Sequence, residues 1–155
     1  APTRIRARVD ACRAYVALGD QGQVLELVEN AEPPEADADP TPYLELAAFE
    51  GGARVALGQA AAAVAAYRRA LAGETLSPAR SFVWSVGLAE ALAADGKTGP
   101  ALEALPNGAP PEGVSAADVE RRDALRSRLA GPEEAGPSES PAPPESSTPP
   151  ESSTG

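Results

Sequence analysis

Ala56-Leu57-Gly58-Gln59, followed by Ala63-x-x-x-Tyr67-x-x-Ala70-Leu71, is the stretch that decides the architecture of this chain. Apolar residues run at helical spacing up to Gly58 and resume at helical spacing after Gln59. A glycine just past the end of a helix lets the chain reverse, because it adopts a left-handed backbone without a Cβ clash. Beyond the turn, Ala63 is small enough for two helix backbones to approach. Tyr67 fills the space between layers, and Ala70 leaves room for a further unit to stack. The pattern predicts two antiparallel helices joined by a tight turn.

The same turn recurs on both sides. Ala17-Leu18-Gly19-Asp20 precedes one helical stretch and Ala94-Asp95-Gly96-Lys97 another, so the three turn glycines lie 39 and 38 residues apart. Val9, Cys12, Val16 and Leu18 mark a helix ending near Gly19, and Val24, Leu25, Leu27 and Val28 mark a second, ending before Pro33-Pro34. Helices are expected at roughly 43–57, 59–72, 79–94 and 100–105, with Pro100 suited to a first turn. Ser115-Ala116-Ala117-Asp118 resembles a capping box with Asp in place of Glu or Gln. It opens a last helix expected to run to about Leu129.

The glycine, alanine, aromatic and alanine of residues 58–70 match, position for position, the second half of a tetratricopeptide repeat, and the chain resembles that family over roughly residues 5–108. The resemblance implies an all-α fold: a short α-solenoid of about three helical hairpins, a C-terminal capping helix and a disordered tail. Tyr15, four before Gly19, and Ala31 also fit the family pattern. The departures are Val24 for the small alanine, Val28 for the aromatic, Arg54 where Tyr15 stands in the first unit, and Pro106 and Gly108 in the third. The family's unit is 34 residues long. The extra length here falls in Pro-rich insertions around 33–42 and 73–78.

Composition agrees with packed small-residue helices. Of 155 residues 43% are hydrophobic, but 34 of these are Ala and aromatics are only 4%, which argues against a β-sandwich or barrel. The chain has no His, one Cys and no Met. The commonest general base is therefore missing, as are an internal disulfide and a thiolate metal site. No glycine-rich phosphate loop is present. The longest apolar run, Ala60 to Tyr67, is far short of a membrane span. A net charge of −10 disfavours duplex nucleic acid and anionic membrane surfaces as partners.

A composition shift near Gly131-Pro132 divides the chain into a helical-repeat domain, 1–130, and a tail, 131–155. The tail carries seven Pro, five Glu and no basic residue, and its only apolar side chains are Ala135 and Ala142. It ends in a duplicated hexad, Pro143-Pro144-Glu145-Ser146-Ser147-Thr148 and Pro149-Pro150-Glu151-Ser152-Ser153-Thr154. Such a segment buries too little apolar surface to offset its ordering entropy, and disorder is expected. The chain opens Ala1-Pro2. Removal of a leader on export would leave this start, and so would excision of a domain.

In stacked hairpins the first helices line a concave surface. The resemblance places Arg6, Val9, Arg13 and Val16 on it from the first unit, Glu45, Ala48 and Val55 from the second, and Val83, Val86 and Glu90 from the third. Trp84, the one Trp, reads either as core filler or as an exposed anchor at a partner surface. The candidate partner-binding set is therefore Arg6, Arg13, Val16, Glu45, Val55, Val83, Trp84, Val86 and Glu90. Arg4, Arg6, Arg8 and Arg13 cluster at one end, Arg121, Arg122, Arg126 and Arg128 at the other, and residues 26–45 hold seven acidic side chains. These are solvated helix faces, or Arg-rich ends that meet an acidic surface in a neighbour or in the tail. The expected function is a non-catalytic interaction scaffold that docks a protein partner, with no cofactor and no metal. The alternative is an accessory subunit or appended domain of a larger assembly.

Overall fold

A computed structural model describes residues 2–134 of the chain. Of the tail expected to be disordered, 131–155, the first four residues instead continue the last helix to Glu134, and residues 135–155 lie outside the described residues. Seven helices follow in order: α1 Pro2–Leu18, α2 Gln21–Glu29, α3 Thr41–Ala56, α4 Ala60–Leu71, α5 Pro78–Ala94, α6 Thr98–Ala104 and α7 Ala116–Glu134. Among the described residues there is no strand, and the fold is all-α.

Three hairpins, α1–α2, α3–α4 and α5–α6, share one turn geometry. Gly19, Gly58 and Gly96 sit at φ of 74°, 77° and 78°. In each turn the glycine N–H bonds a carbonyl three residues back and the next N–H bonds one five back. The second of these bonds runs from Asp20 to Tyr15 (2.9 Å), from Gln59 to Arg54 (2.8 Å) and from Lys97 to Leu92 (2.9 Å). This paired closure satisfies the last orphan carbonyls of each first helix. The residue that closes it then starts the second helix: the Asp20, Gln59 and Lys97 carbonyls accept from Val24, Ala63 and Ala101. One residue thus ends one helix and begins the next, which forces the pair antiparallel.

Neighbouring hairpins pack in sequence order. The first helices lie side by side, α1 on α3 and α3 on α5, while α2 packs on α3 and α4 on α5. α7 closes the array against α5 and α6. The core is accordingly a succession of clusters. Ile5, Val9, Cys12, Val24, Leu46 and Ala53 form the first. Ala63, Val64, Tyr67, Ala70, Trp84, Ala91, Leu92 and Ala101 form the second. Ala89, Leu105 and Leu125 form the last, under α7. Ala63, Ala70 and Ala101 are wholly buried. Each forgoes apolar area so that helix axes can approach, which is how an Ala-rich chain reaches close packing.

Arg54, the departure from the aromatic pattern, bridges three elements instead. Its guanidinium donates to Glu50 (2.7 Å) and to Gln59 in the turn (2.6 Å), and lies 3.8 Å from Glu29 of α2. Arg69 of α4 holds the other Glu50 oxygen at 2.6 Å.

At the start of α7, Ser115 Oγ accepts from the Asp118 N–H (3.2 Å) and donates to the Asp118 carboxylate (2.8 Å). The helix does not stop near Leu129 but continues to Glu134. Pro132 removes one backbone donor from the last turn. Gly131, with no Cβ, relieves the clash that a proline imposes on the residue before it. No described helix is long and apolar enough to cross a membrane.

Candidate docking groove

The side-by-side first helices leave a groove of about 610 Å³. Arg13 and Val16 of α1 line one wall. Glu45, Ala48, Phe49 and Gly52 of α3 form the floor, and Ala79, Arg80, Val83 and Trp84 of α5 form the other wall. Gln21, Tyr67, Gly113 and Arg121 close its ends. The α3 contribution is a stripe at spacings of three, four and seven residues, and α5 repeats the pattern from Arg80 to Trp84, as expected of helix faces turned to a common hollow.

Electrostatics fix the rim. Glu45 accepts from Arg80 (2.7 Å) and lies 3.8 Å from Arg13, tying α1, α3 and α5 together across the floor. The Glu45 side chain is only 18% exposed, whereas Arg13 and Arg80 remain 64% and 43% exposed. The carboxylate therefore helps to orient two cations, and Arg13 also donates to Asp10 of its own helix at 2.9 Å. Arg121 of α7 donates to Glu90 and to Asp118 (3.0 Å). Burial works against the Arg121 charge, but Glu90 and Asp118 outweigh it and its pKa is raised. Burial likewise pushes the Tyr67 phenol up to about 12, with the Glu90 charge adding to the effect.

Five of the nine residues singled out from sequence meet here: Arg13, Val16, Glu45, Val83 and Trp84. Trp84 belongs mainly to the core, at 8% exposure, and offers the groove little surface. Val86 is a correction: it is wholly buried and has no surface to offer. The groove stripe on α5 runs through Arg80, Val83 and Trp84, and Val86 lies on the flank turned inward. Val9 is buried in the first cluster, and Val55 packs against the second. Glu90 reaches the groove only through Arg121. Sequence reasoning missed Phe49, Gln21, Arg80, Tyr67 and Arg121. Arg80 was accessible as the residue three before Val83 on the same face. Arg121 was not, because it arrives from α7.

Arg6 belongs elsewhere. A second depression, of about 470 Å³, lies between the start of α1 and the segment joining α2 to α3. Arg4, Arg6 and Arg8 face Glu32, Glu35, Asp37 and Asp39 across it. Arg6 meets Asp39 at 3.4 Å, and Arg8 donates to the Leu27 carbonyl at 2.8 Å. Hydrogen bonds from Thr41, with Arg6 and Arg80 nearby, lower the Asp39 pKa. The N-terminal Arg cluster thus faces the chain's own acidic linker. At the other end, Arg122 and Arg126 donate to the Pro106 and Gly108 carbonyls.

Cys12 is buried in the first cluster, and burial raises its pKa against a smaller opposing effect of Arg8. Among the described residues no three His, Cys, Asp or Glu side chains converge as a metal site requires. No family model, curated protein or solved structure matches this chain.

Proposed function

We propose that this chain is a tetratricopeptide-like, non-catalytic docking module that holds an extended segment of a protein partner in the α1–α3–α5 groove. The observation that carries the proposal is the groove itself: an apolar lining of Ala48, Phe49 and Val83 beside exposed arginines that a nearly covered Glu45 helps to orient. Apolar floors supply affinity, and oriented rim charges supply selection of partners. The equivalent turns at Gly19, Gly58 and Gly96 support the repeat reading. The carboxylates nearest the groove, Glu45 and Glu90, are paired with arginines, an arrangement suited to holding a surface rather than to moving protons.

The test is a photo-reactive side chain at Val16, on the groove wall, compared with one at Arg68, which is exposed on α4 outside it. In the native host the Val16 probe is expected to trap one protein adduct that the Arg68 probe does not, and Arg80→Glu should abolish it. Equal trapping at both positions, or none at Val16, overturns the groove assignment.

A second reading, an accessory subunit packed permanently into an assembly, is favoured by the turn edge. Leu18 and Leu57 stand at equivalent places just before Gly19 and Gly58 and are 77% and 47% exposed. Apolar side chains repeated along one edge suit a standing interface. Association of the purified chain, broken by Leu18→Glu with Leu57→Glu, supports that reading; a monomer at all concentrations supports the first.

A further inference from the structure

The loop between α6 and α7 holds the one Asn-Gly pair of the chain, Asn107-Gly108. In such a pair the glycine nitrogen attacks the asparagine side-chain amide when three conditions meet. The side chain must be free to turn, the glycine N–H must not be spent on a hydrogen bond, and no Cβ may crowd the approach. Asn107 is exposed. Among the described residues its side chain makes one long contact, from Arg126 Nη2 to Oδ1 at 3.5 Å, which leaves the Nδ2 group unheld. The Gly108 N–H has no backbone acceptor among the described residues. Gly108 sits at φ 80° with open space around it.

The comparable sites elsewhere are locked. The Asn30 amide donates to the Glu26 carbonyl at 2.9 Å, and the Ala31 N–H behind it donates to Val28 at 3.2 Å. Asp95-Gly96 would close the same ring, but the Gly96 N–H donates to Ala93 at 3.1 Å and the Asp95 carboxylate holds Lys97 at 3.0 Å.

We propose that Asn107 is a self-modification site: attack by the Gly108 nitrogen converts it to aspartate and isoaspartate, and the isoaspartyl link frees the loop from α7. The Gly108 nitrogen bonds to Asn107 Cγ and gives up its proton. The Cγ–Nδ2 bond breaks, and the departing amino group takes one proton and leaves as ammonia. The cyclic imide then takes up one water from solvent. Cleavage between the imide nitrogen and Cγ gives an aspartyl residue. Cleavage between that nitrogen and the main-chain carbonyl carbon gives an isoaspartyl one. No electrons are transferred to or from the chain.

The consequence follows from what grips the loop on either side. Arg126 donates to the Pro106 carbonyl at 2.8 Å, and Arg122 to the Gly108 carbonyl at 2.7 Å. The two arginines stand four residues apart on α7, about 6 Å along its axis. The carbonyls they hold flank residue 107. An aspartyl residue leaves that span unchanged. An isoaspartyl residue routes the backbone through Cγ and adds one carbon between the two carbonyls, so both bonds cannot be kept. Leu105, packed under α7 with Leu125, is the next point to loosen.

The full-length chain, held folded near neutral pH for several days and then cut after Arg and Lys, tests the chemistry. Peptide 98–121 should yield two products, each heavier by the difference between a hydroxyl and an amino group. The rate should rise with pH, and Asn107→Gln should abolish both products. Peptides 14–54 and 81–97, carrying Asn30 and Asp95, should convert at least about tenfold more slowly, since each must first open its N–H bond. Conversion of peptide 98–121 more than about tenfold slower in the folded chain than in the isolated peptide would show that the loop holds the Gly108 N–H, and overturns the assignment. So does conversion of Asn30 as fast as Asn107. A chain synthesised with isoaspartate at position 107 tests the release. Its amides at Leu105 and along α7 should exchange faster than those of the native chain, while Asn107→Asp should exchange as the native chain does. Equal exchange in the isoaspartyl and native chains overturns the release.

Discussion

The ring of Tyr67 occupies the space where a side chain on Gly51 would begin: a Cβ at Gly51 would fall 2.6 Å from Tyr67 Cδ2. Gly87 makes the same concession on the other face, with a Cβ position 2.5 Å from Cε1 and Cζ. α4 thus drives one aromatic ring between α3 and α5 because each of those helices gives up a side chain there. Gly51→Ala and Gly87→Ala gain helix propensity of about 1 kcal/mol. They lose more to overpacking, typically 1–3 kcal/mol when the ring cannot retreat, so both should lower the melting temperature. Gly99→Ala, at the start of α6 with open space around it, should raise stability by about 0.4–1 kcal/mol. Thermal unfolding followed by circular dichroism separates the cases, and a stabilised Gly87→Ala contradicts the wedge.

The same ring gives the chain a titration at high pH. Burial raises the Tyr67 pKa from 10.0 to about 12. The folded state keeps the phenol proton that the unfolded chain releases, so stability is whole below pH 10 and falls as pH rises from about 10 toward 12. Two units correspond to roughly 3 kcal/mol at most. Denaturant melts across that window should show the loss, and Tyr67→Phe should remove most of it. An unchanged slope in Tyr67→Phe would place the alkaline transition in another group.

The turn glycines make a backbone prediction free of packing. Gly58 sits at φ +77°, and a Cβ there meets nothing within 4 Å. Gly58→Ala should therefore cost about 1–2 kcal/mol through conformation alone, Gly58→Asn less, and D-Ala nothing. Chemical synthesis of the D-Ala chain gives the decisive melt: if it is as unstable as the L-Ala one, the left-handed turn is not what limits the hairpin.

The parts of this fold that were legible in the sequence are local. A left-handed residue after an amphipathic helix writes itself as Gly19, Gly58 or Gly96, and the start of the last helix writes itself as Ser115. Arg13, Val16 and Glu45 were set on the surface of the first helices by the resemblance to the tetratricopeptide pattern, and they line the groove. Val86 was set there too and does not line it. The rotation of α5 is set by where Tyr67 inserts between Gly51 and Gly87, a contact between residues far apart in sequence. That rotation turns Arg80 and Trp84 toward the groove and Val86 inward. Arg121 escaped for the same reason, since its role depends on α7 returning to α5.

Glu50 separates buried from exposed charge. It is 8% exposed and receives Arg54 at 2.7 Å and Arg69 at 2.6 Å. Glu50→Ala strips the covered Arg54 guanidinium of its hydrogen-bonded anion, leaving only Glu29 at 3.8 Å, and should cost about 1.5–3 kcal/mol, the range for hydrogen bonds to charged groups. Arg69→Ala removes a side chain that is 61% exposed and should cost under about 1 kcal/mol. Equilibrium urea unfolding of the pair decides. Equal losses would mean that Arg54 holds its place without Glu50.

Arg122 and Arg128 stand six residues apart on α7, and a reading from charge alone treats them alike. Arg122 is buried, lies 5.1 Å over the Phe82 ring and donates to the Gly108 carbonyl at 2.7 Å. Arg128 is exposed. The loop after α6 has to end against something, because Leu105 takes extended backbone and closes a helix of only seven residues. A guanidinium serves where a lysine would not, since its planar face stacks on Phe82 while its edge bonds a carbonyl. Arg122→Ala should cost about 2 kcal/mol from the carbonyl bond and the stacking together, and Arg122→Lys should recover little of it. Arg128→Ala should change stability by less than about 0.5 kcal/mol. Amide hydrogen exchange localises the effect: faster exchange at Leu105 and along α7 in Arg122→Ala is the expected result. Exchange raised evenly through α1–α4 instead would show that Arg122 does not latch this loop.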